Sequence, residues 1–285
     1  MLRECSREEF YQYTDFAYNL ALDLKKSGYP TYCDGIKTKE MFIERSLKAF
    51  ERDDEQMLLF LCEGEVQGLI HYYWISEDRY LQTNLFNING AANQALSEFL
   101  TYVGERFSGY DLFMGFPAEN RAAVEFFSGQ GFECIEDDYN NTAFLDRMDS
   151  LPENDEIIRI GKENYQSFQL LHEEIEGDMY WNSARILENL DNWIIYVKES
   201  GGIPQGAVYY RDLHDGWGEI FGIDIHNEEY RPELFKELLN AALSDVQKRG
   251  GKFMTFFCEK EYEEAAVECG FQCVGNYLCH KVHLD

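Results

Sequence analysis

Short runs of apolar residues alternate along the chain with longer stretches in which apolar positions recur at helical spacing. The short runs Met57 to Cys62, Gly68 to Ile75 and Tyr80 to Ile88 read as strands. So do Trp193 to Lys198, Gly206 to Arg211 and Gly218 to Ile225. The helical period marks Glu8 to Lys25, Ala91 to Phe107, Glu163 to Ile175 and Pro232 to Arg249. Two more helices open at Thr38 and Ser183, whose hydroxyls can accept from the unpaired N–H groups of a first turn. Glu156 to Ile160 reads as a fresh short strand. A buried-type strand, a short helix ending in Gly-Phe and a last strand pair then close each half.

The same order of elements is met twice, and individual residues recur with it. Val66-Gln67-Gly68-Leu69 returns as Pro204-Gln205-Gly206-Ala207, which sets Gly206 138 residues beyond Gly68. Gly131-Phe132-Glu133-Cys134 returns as Gly270-Phe271-Gln272-Cys273, 139 residues on. Near-constant spacing in constant order marks a duplicated unit. The boundary is expected in the acidic stretch Leu151-Pro152-Glu153-Asn154-Asp155, which gives domains at 1–150 and 151–285.

With 45% apolar residues over 285 positions, the chain has ample material for packed cores. Its net charge of -28 repels phosphate backbones and so argues against nucleic acid as a partner. The acidity either favours cationic small molecules and basic segments or simply keeps the protein soluble. No apolar run reaches membrane-spanning length and the start lacks a signal core, so a soluble, cytoplasmic protein without a membrane partner is expected. The eight cysteines are scattered without a CxxC pair and read as free thiols. His280 and His283 stand three apart on an expected strand and so face opposite ways; no metal site is expected.

Asn120, Ala123, Val124, Phe126 and Phe127 lead into Gly131-Phe132. In this order of elements, the segment resembles the Asn-x-x-Ala-x-x-Phe-Tyr…Gly-Phe segment of GNAT acyltransferases. The resemblance spans nearly the whole chain as two consecutive GNAT-like units. It implies an α/β (α+β) fold of two tandem domains, each a mixed, mostly antiparallel sheet with splayed central strands flanked by helices. It also implies acetyl-CoA as co-substrate, lying between the splayed strands with its pyrophosphate on the N–H groups of the following helix. The acceptor amine would enter from the other side, over the loop between the first two helices.

The family's pyrophosphate loop, Arg/Gln-x-x-Gly-x-Gly/Ala, falls on Asn89, Gly90, Ala91, Ala92 and Asn93 in the first copy, small and uncharged but without the basic residue. In the second copy it falls on Tyr230 to Phe235, where Arg231 is basic but Glu228, Glu229 and Glu233 surround it. Asn120 matches the family Asn that supports the pantetheine arm, and Glu259 replaces it in the second copy. The first copy is therefore expected to keep the better acyl-CoA cleft. The tyrosine that protonates the leaving thiolate falls on Phe127 and Ala266, neither of which has a proton to give. Tyr32 and Tyr139 are the alternative acids, and Glu219 stands where many members place a general base. Tyr32 and Asp34 in the first copy, and Asp178, Tyr180 and Trp181 in the second, interleave carboxylates with aromatics and are the candidate acceptor-binding residues. Cys33 beside Asp34 has no His within motif reach and is no thiol nucleophile.

The expected activity is acetyl transfer to the amine of a small, cationic molecule or a peptide. The alternative is a non-catalytic GNAT-like module that binds a cationic ligand, an acyl-CoA or a protein. A homodimer is left open.

Overall fold

The computed structural model describes residues 1–285 apart from 152, 153, 178, 214 and 215 and the side chain of Glu228. In chain order the first elements are β1 (Leu2–Glu4), α1 (Arg7–Ala21), α2 (Lys39–Leu47), β2 (Glu55–Cys62), β3 (Glu65–Ile75) and β4 (Tyr80–Ile88). They are followed by α3 (Ala92–Gly104), β5 (Asp111–Pro117), α4 (Arg121–Gln130) and β6 (Glu133–Phe144). The second series is β7 (Ile157–Arg159), α5 (Tyr165–Ile175), α6 (Ser183–Glu188), β8 (Ile194–Ser200), β9 (Ile203–Asp212) and β10 (Trp217–Ile225). It closes with α7 (Pro232–Lys248), β11 (Phe253–Cys258), α8 (Glu263–Glu268) and β12 (Gln272–His283).

Local chemistry sets the ends of these elements. Ser6 caps α1 in a reciprocal box with Glu9, and the Thr38 hydroxyl accepts from Met41 N–H to start α2. Asn182, one residue before the expected Ser183, caps α6 through Arg185 N–H. Gly131 ends α4 in the left-handed region at φ 73°, where a side chain would be strained.

Two compact units result: Met1–Asp138 with Gly275–Asp285, and Tyr139–Val274. In unit 1 the order is β1-β2-β3-β4-β5-β12. All neighbours are antiparallel except β4 and β5, which are parallel and pair only over Tyr80–Gln82 with Asp111–Phe113 before they diverge. In unit 2 the order is β7-β8-β9-β10-β11-β6, and its parallel pair, β10 with β11, holds only from Trp217 to Ile220. Each sheet is thus mixed, mostly antiparallel and splayed at its centre. A bulge sits on the gap-lining strand of each: Asn84 is skipped in the β3–β4 register and Phe221 in the β9–β10 register.

Each sheet is covered on both faces. The α3 side chains Leu96, Phe99 and Val103 pack on Phe86 and Phe116, while Phe10, Ala17 and Phe42 pack on Leu59 and Leu69 from the other side. In unit 2, Leu238, Leu239 and Leu243 of α7 cover one face, and Phe168 and Leu171 of α5 cover the other with Tyr209 and Trp193. Each such fully buried Leu or Phe contributes roughly 1.5–3 kcal/mol of transfer free energy.

The closing strands differ from the sequence expectation. Each half supplies one long strand in place of a pair, and that strand completes the sheet of the other unit. Residues Tyr139 to Phe144 of β6 pair antiparallel with β11, and Tyr277 to His283 of β12 pair with β5. Without a return strand of its own, each half would leave β5 or β11 as an open edge of unpaired backbone groups. The two compact units therefore divide after Asp138 and after Val274, where the sequence placed a boundary at 150–155; Pro152 and Glu153 of that stretch lie outside the described residues. No helix among the described residues is long and apolar enough to cross a membrane.

Candidate active site

In unit 1 the gap between β4 and β5 is filled by the chain itself. After α1, residues 26–29 run between the diverging strands. The Lys26 carbonyl accepts from Ile88 N–H of β4 at 2.9 Å, and Tyr29 N–H donates to the Gly115 carbonyl of β5 at 2.9 Å. Gly28 N–H donates to Asn87 Oδ1, and a Cβ at Gly28 would stand 3.1 Å from that of Phe86, so a side chain there would crowd the segment. Ser27, Gly28 and Tyr29 are buried. The link between α1 and α2, Leu22 to Thr38, is longer than the Glu176 to Asn182 link of unit 2, and that extra length forms the filling segment.

This arrangement relocates most of the residues that the sequence singled out in the first copy. Asn120 caps α4 through Ala123 N–H and donates its amide to the Ser27 carbonyl at 3.0 Å, so both ends of its side chain are engaged by the protein. Tyr32 is buried against Phe42 and Tyr18, and burial pushes its hydroxyl well above the ordinary range, away from acid catalysis at neutral pH. Asp34 is buried too; its carboxylate accepts from Ile36 and Lys37 N–H and pairs with the Lys37 ammonium, holding its own loop. Both were expected to face an acceptor, and neither does. Asn89 bonds to Gln67 and Lys26, while Gly90, Ala91 at φ 56° and Asn93 are exposed at the start of α3, and Ala92 is partly buried. Phe127 is buried beneath His280, whose ring stacks on it at 4.7 Å.

Tyr139, expected to serve the first copy, belongs to unit 2: it lies opposite Cys258 on β6 and packs against the α7 side of that unit. There the gap is different. Among the described residues, no third segment hydrogen-bonds the backbone of Phe221 to Ile225 on β10. The start of α7 has Pro232 in its first turn and no side-chain cap, with the Arg231 guanidinium turned to Gln205 at 3.1 Å. Tyr262 stacks on Phe235 at 4.1 Å and donates its hydroxyl to the Glu229 carbonyl at 3.3 Å, which sets a phenol beside this helix start.

The α5 face of unit 2 gathers the remaining candidates. Ala207 and Tyr209 pack under α5, so Arg211, two residues on, shares that face, and Glu219 stands directly opposite it on β10. Trp181 meets Trp193 edge-on at 5.3 Å, Trp193 meets Phe221 at 4.9 Å, and the Arg211 guanidinium stands 5.8 and 5.6 Å from the Trp181 and Trp193 ring centres. Tyr180 lies edge-on to Trp181; Asp178 lies outside the described residues.

Sequence reasoning missed what holds this loop. The buried His172 of α5 donates Nδ1–H to Asp224 at 2.9 Å and Nε2–H to the Trp181 carbonyl at 2.8 Å. A carboxylate at Nδ1 and a carbonyl at Nε2 both accept, an arrangement that favours the doubly protonated ring. Burial works against the charged ring, yet the bonds to Asp224 and Trp181 outweigh it and raise His172 above its ordinary range. Burial likewise raises the Asp224 carboxyl. A His on the apolar face of an expected helix carried no motif that could have exposed the pair.

No protein-family model matches the chain, and no curated protein sequence does. Solved structures match it over nearly its full length. A GCN5-related N-acetyltransferase from Sphaerobacter thermophilus superposes with a TM-score of 0.65 at 14% identity, over 99% of this chain and 95% of that one. A GCN5-related glucosamine N-acetyltransferase region of a fungal β-N-acetylglucosaminidase gives 0.62 at 12%, covering 99% of this chain and 38% of that one. A tandem GNAT protein of the clavulanic acid biosynthesis pathway gives 0.53 at 11%, over 99% and 98%. The fold is that of the GNAT superfamily. The resemblance implies an acyl-CoA arm in the central gap, and in unit 1 that gap is taken by residues 26–29 and Asn120, which bond to one another and to both strands.

Proposed function

We propose that the chain is an acyl-CoA-dependent N-acyltransferase of two tandem GNAT-type units, with its reaction centre in unit 2 and unit 1 as a partner without cofactor. The observation that carries this reading is the segment 26–29, hydrogen-bonded into the gap of unit 1, while β10 of unit 2 keeps a free edge. Acyl-CoA would supply the activated thioester. Around it Glu219 would take the proton of the acceptor amine, and the bulged backbone at Phe221 would offer an N–H to the developing oxyanion. Trp181 and Trp193 would wall the acceptor.

Calorimetric titration with acetyl-CoA tests the reading. Gly90→Glu in unit 1 should leave affinity unchanged, whereas Glu233→Gln, which removes a carboxylate from the first turn of α7, should tighten binding. Glu219→Gln should lower turnover on an amine panel by about 10²- to 10⁴-fold. Loss of binding in Gly90→Glu would move the site back to unit 1.

A second reading, a non-catalytic binding module, is favoured by Tyr262 beside the α7 start and by the absence of a proton donor at Ala266. Failure of acetyl-CoA to bind at all would select it.

A further inference from the structure

We propose that the α5 face of unit 2 binds an amino acid with an aromatic side chain, its carboxylate held by Arg211. As an acceptor assignment this rests on the reaction centre being in unit 2; as a binding site it stands by itself.

The charge distribution is the first support. In a chain of net charge -28, cations are expected to be neutralised, as others are: Arg45 pairs with Glu55, and Arg249 with Asp212 and Asp245. Arg211 is different. Its guanidinium is half-buried over two indole rings, and it makes no hydrogen bond or ion pair with any described residue. It lines a cavity of about 330 Å³ together with Arg159, Arg249, Asp191, Asp212 and Trp193. Those lining groups carry one net positive charge, which Glu219, opposite Arg211 but outside the cavity lining, balances, and Asp212 is already taken by Arg249. Arg159, on the exposed end of β7, also has no ion pair among the described residues.

The second support is geometry. A guanidinium seated over the Trp181 and Trp193 rings has fewer orientations open to it, and its planar fork matches a carboxylate bidentately. Glu219, its cross-strand neighbour on the same face, would repel a dianion such as a phosphate but would attract an ammonium beside the carboxylate. A zwitterion complements the charges of both groups. A polyamine, which the overall acidity suggests, would bring a cation against Arg211. Trp181, half-buried, and Phe221, exposed, form an apolar wall backed by the buried Trp193 and suited to an aromatic side chain.

Indole emission, to which Trp181 and Trp193 contribute two of the four tryptophans, gives a readout independent of acyl transfer. The protein is titrated with L-phenylalanine, phenylalaninamide and spermidine. L-phenylalanine should give a saturable change, and the amide, which lacks the carboxylate, should bind at least about tenfold more weakly. Arg211→Gln should remove that discrimination, Arg211→Lys should restore part of it, and circular dichroism should show both variants folded. Equal binding of acid and amide, tighter binding of spermidine, or no saturable change with L-phenylalanine would each overturn the proposal. Binding of L-phenylalanine without acetyl transfer would remove the transferase reading and leave this one standing. Transfer to polyamines alone would do the reverse.

Discussion

The imidazole Nδ1–H of His172 reaches the carboxylate of Asp224 across 2.9 Å, with both side chains buried. The Glu176 carboxylate, 4.0 Å from Nε2, is a second negative group at the ring, and Phe168 and Tyr209 close its faces. Because His172 is raised in the folded state, its contribution is fully present below its unfolded pKa of about 6.5 and is lost as pH rises through the folded value. The Trp181 loop should therefore loosen on the alkaline side. An indole emission titration should show this step in the natural protein and not in His172→Gln. Asp224→Ala, which strands the buried imidazolium, should cost roughly 3–5 kcal/mol in urea unfolding.

Glu55 predicts the opposite pH limb. Its buried carboxylate accepts from His71, Arg45 and Arg52 at 2.8, 2.7 and 3.0 Å. Burial resists its ionisation, but these bonds prevail and hold the carboxyl at about 2. A depressed carboxyl contributes stability above its unfolded pKa, here on the order of 3 kcal/mol, which is lost as pH falls from about 4.5 through about 2. Burial also lowers His71, so protonation of that ring opposes folding in the same direction. Glu55→Gln should flatten the acid limb of a stability–pH curve; an unchanged limb would contradict the linkage.

Gly28 reports on the filled gap of unit 1. Its Cβ would meet Phe86 Cβ at 3.1 Å and the Gly115 carbonyl at 3.3 Å. Gly28→Val should destabilise the chain by about 1–3 kcal/mol through overpacking. Gly129→Val, inside α4 where no atom lies within 4 Å of the added carbon, is the control and should be neutral to slightly stabilising, because Val is the better helix former. Equal effects in chemical denaturation would mean that residues 26–29 do not pack in the gap.

The exchanged strands predict how the chain can be cut. Residues 1–150 alone lack the partner of β5 and should not fold. Residues 1–138 joined by a short linker to 275–285 contain a complete sheet and should give a cooperative thermal transition. Cooperative folding of 1–150 alone would contradict the pairing of Tyr277 to His283 with β5.

Much of the architecture was legible because it rests on local pattern. The strands around Gly68 and Gly206 and the helices opening at Thr38 and beside Ser183 are set by apolar period and capping, and both lie within a few residues of the chain. What was not legible depends on contacts far apart in sequence. Nothing in the residues near Tyr139 distinguishes a strand that returns to β5 from one that pairs with β11. Asn120 matches its family position, but only the bond to Ser27, 93 residues away, shows that its amide is already engaged. Asp34 and Tyr32 read as a polar, aromatic loop, and burial in the gap-filling link changed their meaning.

The crossing of β6 and β12 also gives the chain a direction in time. A ribosome releases β5 long before Tyr277 to His283, the residues that cover its edge. Unit 2, by contrast, has its borrowed strand, Tyr139 to Phe144, in hand before β11 is made. Completion during synthesis should therefore run in reverse of gene order: the unit begun first is sealed last, by residues that emerge only after the whole of unit 2. Until then β5 is an open edge that a second nascent chain could pair with, so the interval between its synthesis and that of β12 is when this protein is most exposed to misassembly.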